Sequence, residues 1–220
     1  MKKKIFRAMA VVGIVSSIFV STNGISVKAE EYPEMKVFED VPQGHWAFDA
    51  IYDLSYHKII EGYGNKRFGV GDPVTREQVA AVMYRTLKIE KQGALNNPYR
   101  DLHANSTMFL EEILALTERG ILKGDGSGNF RPKASLTRAE MAQVLTRAFE
   151  FEIKQKHTFR DVPKNFWGAD AISALQSNNV VVGAGNGKFE PGMTVTREQY
   201  AQFLYNGIIN YHLKEEQSEK

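Results

Sequence analysis

The sequence predicts an all-α fold made of three tandem helix–Gly loop–helix units, and three recurring landmarks predict it. The first is Thr-Arg-x-[Glu/Gln], present as Thr75-Arg76-Glu77-Gln78, Thr137-Arg138-Ala139-Glu140 and Thr196-Arg197-Glu198-Gln199. The second is an aromatic-x-Asp opening, Phe38-Glu39-Asp40-Val41-Pro42, Tyr99-Arg100-Asp101-Leu102 and Phe159-Arg160-Asp161-Val162-Pro163. The third is a Gly-rich turn that starts at Gly62, Gly124 or Gly183 and ends in Phe68, Phe130 or Phe189. The three Thr residues lie 62 and 59 apart, each Asp precedes its Thr by 35, 36 or 35, and each Phe precedes its Thr by seven. Three landmarks in the same order, three times over, define one repeated unit.

Each element follows from local pattern. After the Asp comes Gly44-His45-Trp46-Ala47 or Asn165-Phe166-Trp167-Gly168, then an amphipathic segment with apolar Ala47, Ala50, Ile51 and Leu54 in the first unit and Ala171, Ile172 and Leu175 in the third. That spacing is helical, and the helix is expected to stop near Lys58, Gly120 and Asn178. Short apolar pieces follow (Ile59-Ile60, Ile121-Leu122, Val180-Val181-Val182), and then the Gly turn, whose residues are free to take positive φ. The second helix begins at the Thr, because Thr followed three residues later by Glu or Gln is a capping box. It carries Val79, Ala80, Val82, Met83 and Leu87, with Met141, Val144, Leu145 and Phe149, and Tyr200, Phe203 and Leu204, as counterparts. Two such short helices cannot bury both apolar faces alone, so the units pack on one another. They can stack in a line or close about a pseudo-threefold axis; the lack of atypical polar end caps favours closure.

Composition narrows the function. Lys2, Lys3, Lys4 and Arg7 precede an apolar stretch from Ala8 to Val20, and Val27-Lys28-Ala29 offers a small-residue cleavage site, so residues 1–29 read as a secretory signal peptide. Five of the 28 basic residues and none of the 26 acidic ones lie there, which leaves the remainder at net −3 instead of +2. Nucleic acid is therefore not an expected partner, nor is a membrane once the leader is cleaved. The chain has no Cys, so neither disulfides nor thiolate chemistry is available. No Gly-x-Ser-x-Gly, phosphate loop or nucleotide fingerprint occurs, and the five His show no metal spacing. Asp125-Gly126-Ser127-Gly128-Asn129 resembles the start of a calcium loop but has Phe130 where Gly is needed and Leu136 where a bidentate Glu is needed. Neither an enzyme nor a cofactor or metal site is expected.

Arg76, Arg138 and Arg197 carry the functional signal. Each stands at the first position of a helix, where the macrodipole makes a cation unfavourable by roughly 0.3–1 kcal/mol. Capping does not explain that placement, whereas an anion would: a guanidinium adds a two-pronged donor to amides already aimed at negative charge. An interunit salt bridge to Asp40, Asp101 or Asp161 is the competing explanation. Trp46 and Trp167 offer a flat apolar face for a sugar ring, with core packing as the alternative. Asp40, Asp101 and Asp161 are placed to close the entry turn of the first helix, and the Phe ending each Gly turn is expected in the core.

The Phe-x-Asp-Val-Pro opening, the Trp-Ala segment, the Gly turn ending in Phe-x-Pro and Thr-Arg-Ala-Glu together resemble the S-layer homology family, over roughly Lys36 to Tyr211. The resemblance implies a pseudo-threefold trefoil around a central helical bundle, with grooves between adjacent units. It also implies a secreted protein held noncovalently at the cell wall by secondary cell-wall polysaccharide, often through a ketal-pyruvate amino sugar. Ligand-binding residues are then expected among Arg76, Arg138, Arg197, Trp46, Trp167, Asp40, Asp161, Gly62, Gly124 and Gly183, in units spanning 36–95, 97–154 and 157–213. A surface-protein partner and a non-catalytic remnant of a wall-lytic enzyme are the alternatives.

The departures are specific. In the second unit Met108 takes the place of Trp and His103 that of Pro, so a groove relying on that position is expected to bind less well. Glu77 and Glu198 replace the Ala of the commoner motif. Assigning the Arg residues to ligand also implies that Arg197→Ala weakens binding with little effect on melting, and that Thr196→Val costs about 1 kcal/mol of helix stability.

Overall fold

The computed structural model describes residues 37–90 and 93–218; the expected signal peptide lies outside the described residues. Among these, six helices occur, two per unit: α1 (Phe48–Tyr56) and α2 (Arg76–Thr86), α3 (Leu110–Glu118) and α4 (Arg138–Ala148), α5 (Ala169–Ser177) and α6 (Arg197–Ser218). Among the described residues, pairing of extended backbone is limited to isolated bridges. The fold is all-α, as expected.

The second helices start where the capping boxes place them. Thr75 Oγ1 accepts from the Gln78 amide while Gln78 Oε1 accepts from the Thr75 amide, and Thr137 and Glu140 do the same. The third box is only half formed. Gln199 Oε1 accepts from the Thr196 amide at 3.2 Å, but Thr196 Oγ1 is buried without a hydrogen-bond partner. The first helices have no side-chain cap at Ala47, Phe109 or Gly168. Each ends in the same motif, with a left-handed residue at Lys58, Gly120 or Asn179. There Ile59, Ile121 and Val180 donate back to Leu54, Leu116 and Leu175. This six-to-one closure satisfies otherwise orphaned carbonyls, and only Gly120 reaches it without a Cβ penalty.

In each unit the aromatic of the opening landmark packs on the Phe that ends the Gly turn. Phe38 packs on Phe68, Tyr99 on Phe130 and Phe159 on Phe189, with ring centroids 5.5, 5.4 and 5.3 Å apart. This joins the opening landmark to the Gly turn within every unit, so the Phe residues are core as expected. The helices, by contrast, pair between units: α2 with α3, α4 with α5, and α6 with α1.

The last pairing closes the circle. At its centre the Val74 amide donates to Val195 O, Val195 to Leu136 O, and Leu136 to Val74 O, all at 2.9–3.0 Å. These residues immediately precede the capping Thr of each unit, and all three are buried. A three-membered ring of backbone bonds has no free end, so the arrangement is a pseudo-threefold trefoil and not a linear stack. It satisfies backbone groups that a buried extended segment would otherwise leave unpaired.

Candidate functional site: interunit grooves

The second-helix arginines reach across unit boundaries. Arg76 of unit 1 donates from Nε to Phe130 O (2.8 Å) and from an Nη to Lys123 O (2.6 Å), both in unit 2. Arg197 of unit 3 does the same to Phe68 O (2.9 Å) and Glu61 O (2.7 Å) of unit 1. Arg138 of unit 2 donates from Nε to Phe189 O (2.6 Å) of unit 3, while one of its Nη atoms is buried without a partner. Each guanidinium also lies 4.6–4.8 Å from the centroid of the Phe ring that ends the neighbouring Gly turn. Burial pulls all three arginine pKa values down, and Glu140 beside Arg76 works against the shift. Arg76 also forms an interunit salt bridge, with Glu140 of unit 2 at 3.2 Å; the partners common to all three arginines are backbone carbonyls and ring faces of the next unit.

The Asp residues differ from both readings given above. Asp40 accepts from the amides of Phe68, Gly69 and Val70, Asp101 from Phe130 and Arg131, and Asp161 from Phe189 and Glu190. They do not close the entry turn of the first helix; they tie down the far end of the Gly turn in their own unit. Nor do they pair with the motif arginines. Burial pushes the Asp40 and Asp161 carboxyls up, but these amides outweigh it and hold both below the usual carboxylate value. The first glycine of each turn has no room for a side chain. A Cβ on Gly62 would stand 2.7 Å from Phe38 Cε1, and one on Gly124 would stand 2.6 Å from Tyr99 Cε1.

Trp46 and Trp167 are not core residues: each is 59% exposed. Trp167 stands at the rim of a groove of about 730 Å³ that draws on all three units. Unit 1 contributes Arg76, unit 2 the Gly124 turn with Lys123, Asp125, Arg131, Gln143 and Arg147, and unit 3 Trp167, Pro191 and Gly192. The Trp facing the unit 2 turn therefore comes from unit 3, through the α4–α5 pairing. Carried through the equivalent pairings, Trp46 belongs with the unit 3 turn and Met108, 83% exposed, with the unit 1 turn. The missing Trp of unit 2 does not fall on unit 2's own turn.

Two groove residues escaped the sequence reading. Arg147 lines the unit 2 groove half-buried, and among the described residues it has no hydrogen-bond or ion-pair partner. Burial lowers its pKa, with no acid near enough to offset it. Arg131 lies 3.6 Å from Asp125 and 4.0 Å from Glu140 across the same groove. Their positions were readable, since Arg147 is ten residues after Thr137, but the missing partner was not.

The S-layer homology domain model matches residues 37–80, 98–142 and 158–201. The chain is 31% identical over 173 residues to an S-layer protein of Bacillus licheniformis, covering 77% of this chain and 19% of that protein. It is 30% identical to an S-layer protein of Bacillus thuringiensis subsp. finitimus, covering 77% and 21%. With an endoglucanase of Bacillus sp. (strain KSM-635) it shares 28% over 212 residues, covering 92% and 22%. The chain thus spans about a fifth of the length of these relatives.

Proposed function

The chain belongs to the S-layer homology family, and on that premise we propose that it anchors noncovalently to the cell wall by holding acidic, pyruvate-ketal-bearing wall polysaccharide in its interunit grooves. It works at the cell surface, without catalysis. The three binding units are 36–95, 97–154 and 157–213.

The observation that carries this reading is the make-up of the groove at the unit 2 turn. An exposed Trp face stands at a rim whose lining includes Arg76, Lys123, Arg131 and Arg147 against Asp125 and Glu140. A sugar ring stacks on the indole while its carboxylate meets an excess of cation. Arg76, Arg138 and Arg197 supply charge and hold the turn of the next unit. Gly62, Gly124 and Gly183 let the turn backbone come close to a sugar, and Asp40 and Asp161 hold those turns in shape.

Retention on walls purified from the cells that make the protein tests the proposal. Intact walls should retain it, and walls stripped of their polysaccharide, or treated to remove the pyruvate ketal, should not. Equal retention on all three would reject polysaccharide anchoring in favour of assembly with other surface proteins.

A further inference from the structure

The three grooves are not equivalent, and the differences fall at matching positions. Ala139 and Gly192 both line the groove at the unit 2 turn, and neither has a side chain long enough to cross it. The corresponding pair one unit earlier is Glu77 and Lys133, whose charged groups meet at 2.6 Å and span that space. In the remaining groove the pair is Glu198 and Gly71, and Glu198 Oε2 reaches across to accept from the Gly71 amide at 3.0 Å. Glu77 and Glu198 are both buried. Two grooves are therefore crossed by the protein's own side chains, and one is open.

Charge differs at a second set of matching positions, ten residues after each capping Thr and one before each Gly turn. In unit 1 these are Arg85 and Glu61, 3.9 Å apart and mutually neutralising. In unit 3 they are Asn206 and Val182, and Asn206 donates to Val180 O. In unit 2 they are Arg147 and Lys123, two cations lining one groove, with Arg147 unpaired and half-buried. An unpaired, partly desolvated cation is costly to hold, and it is kept where an anion from outside can meet it.

We propose that this trefoil is monovalent: only the groove at the unit 2 turn takes an acidic sugar, with Arg147 as the residue that reads its negative charge and Ala139 and Gly192 as the opening that admits it. This rests on the polysaccharide reading above. It also reverses the ranking drawn from sequence, where the loss of Trp from unit 2 counted against the middle copy.

Titration calorimetry with polysaccharide fragments released from purified walls, used native and after mild-acid removal of the ketal, tests it. The intact protein should bind one native fragment per chain and the treated fragment at least about tenfold more weakly. Arg147→Gln should weaken native binding by at least about tenfold and abolish the preference for the ketal, with no loss of melting temperature. The matched change Arg85→Gln should leave stoichiometry and affinity as they are. Two or more fragments per chain, or an Arg147→Gln protein that still prefers the ketal, would overturn monovalency and the role of Arg147 while leaving wall anchoring intact. Failure of the unaltered protein to bind either fragments or walls would overturn both.

Discussion

An Nη of Arg76 donates to the carbonyl oxygen of Lys123 at 2.6 Å, across the boundary between unit 1 and unit 2. Arg197 and Glu61 repeat that bond between unit 3 and unit 1, at 2.7 Å. These bonds settle the structural role of an arginine that helix capping leaves unexplained.

Because it clasps two carbonyls and covers a Phe ring, Arg76 is a stability residue whatever else it does. Arg76→Ala should cost about 2–4 kcal/mol, since it strands Phe130 O and Lys123 O in a partly buried site. Arg197→Ala should likewise lower the melting temperature, contrary to the expectation drawn from sequence. Calorimetric melting of both variants checks this, and unchanged midpoints would contradict an interunit clasp.

The capping boxes give an asymmetric prediction. Thr137→Val removes a hydroxyl that caps the Glu140 amide, and should cost about 1 kcal/mol. Thr196→Val removes a buried hydroxyl that has no partner, so it should be neutral or slightly stabilising. Urea midpoints for the two variants should therefore separate, whereas sequence alone assigned Thr196 the full cost of a lost cap.

Asp40 and Asp161 have pKa values depressed in the folded state by Gly-turn amides. A depressed carboxyl stabilises the fold above its unfolded pKa of about 4, and that stability is lost as pH falls through the lower folded value. The contribution of these two carboxylates should therefore be constant from neutral pH to about 5 and fall away below 4. Asp40→Asn should be less stable at pH 7 and show a shallower acid limb. An acid limb identical to the parent's would show that the turn does not depend on the ionised carboxylate.

Trp167 projects from the body, so Trp167→Ala should leave melting unchanged while weakening binding of wall fragments roughly two- to tenfold. Trp46→Ala, at a groove crossed by Glu198, should change binding less. Equal losses from the two would argue for equivalent grooves.

By itself the sequence determined everything that depends on short spacing: three units, two helices in each, the start at Thr75, Thr137 and Thr196, the stops near Lys58, Gly120 and Asn178, and Phe68, Phe130 and Phe189 as core. Capping and helical periodicity act over three to seven residues, so they can be read along the chain. Only the tertiary structure decided how the units share work. It put Arg76 on the turn of unit 2 and Trp167 at the rim of the same groove, bringing together residues 91 positions apart. A repeat read linearly assigns each Trp and Arg to its own unit, but closure about a threefold axis hands them to neighbours. Tertiary structure also decided that Asp40 holds Phe68 and Gly69 within unit 1, that both Trp residues are exposed, and that Thr196 lacks the partner its motif promises. Burial and hydrogen-bond supply at those positions come from segments far away in sequence, and no local pattern encodes them.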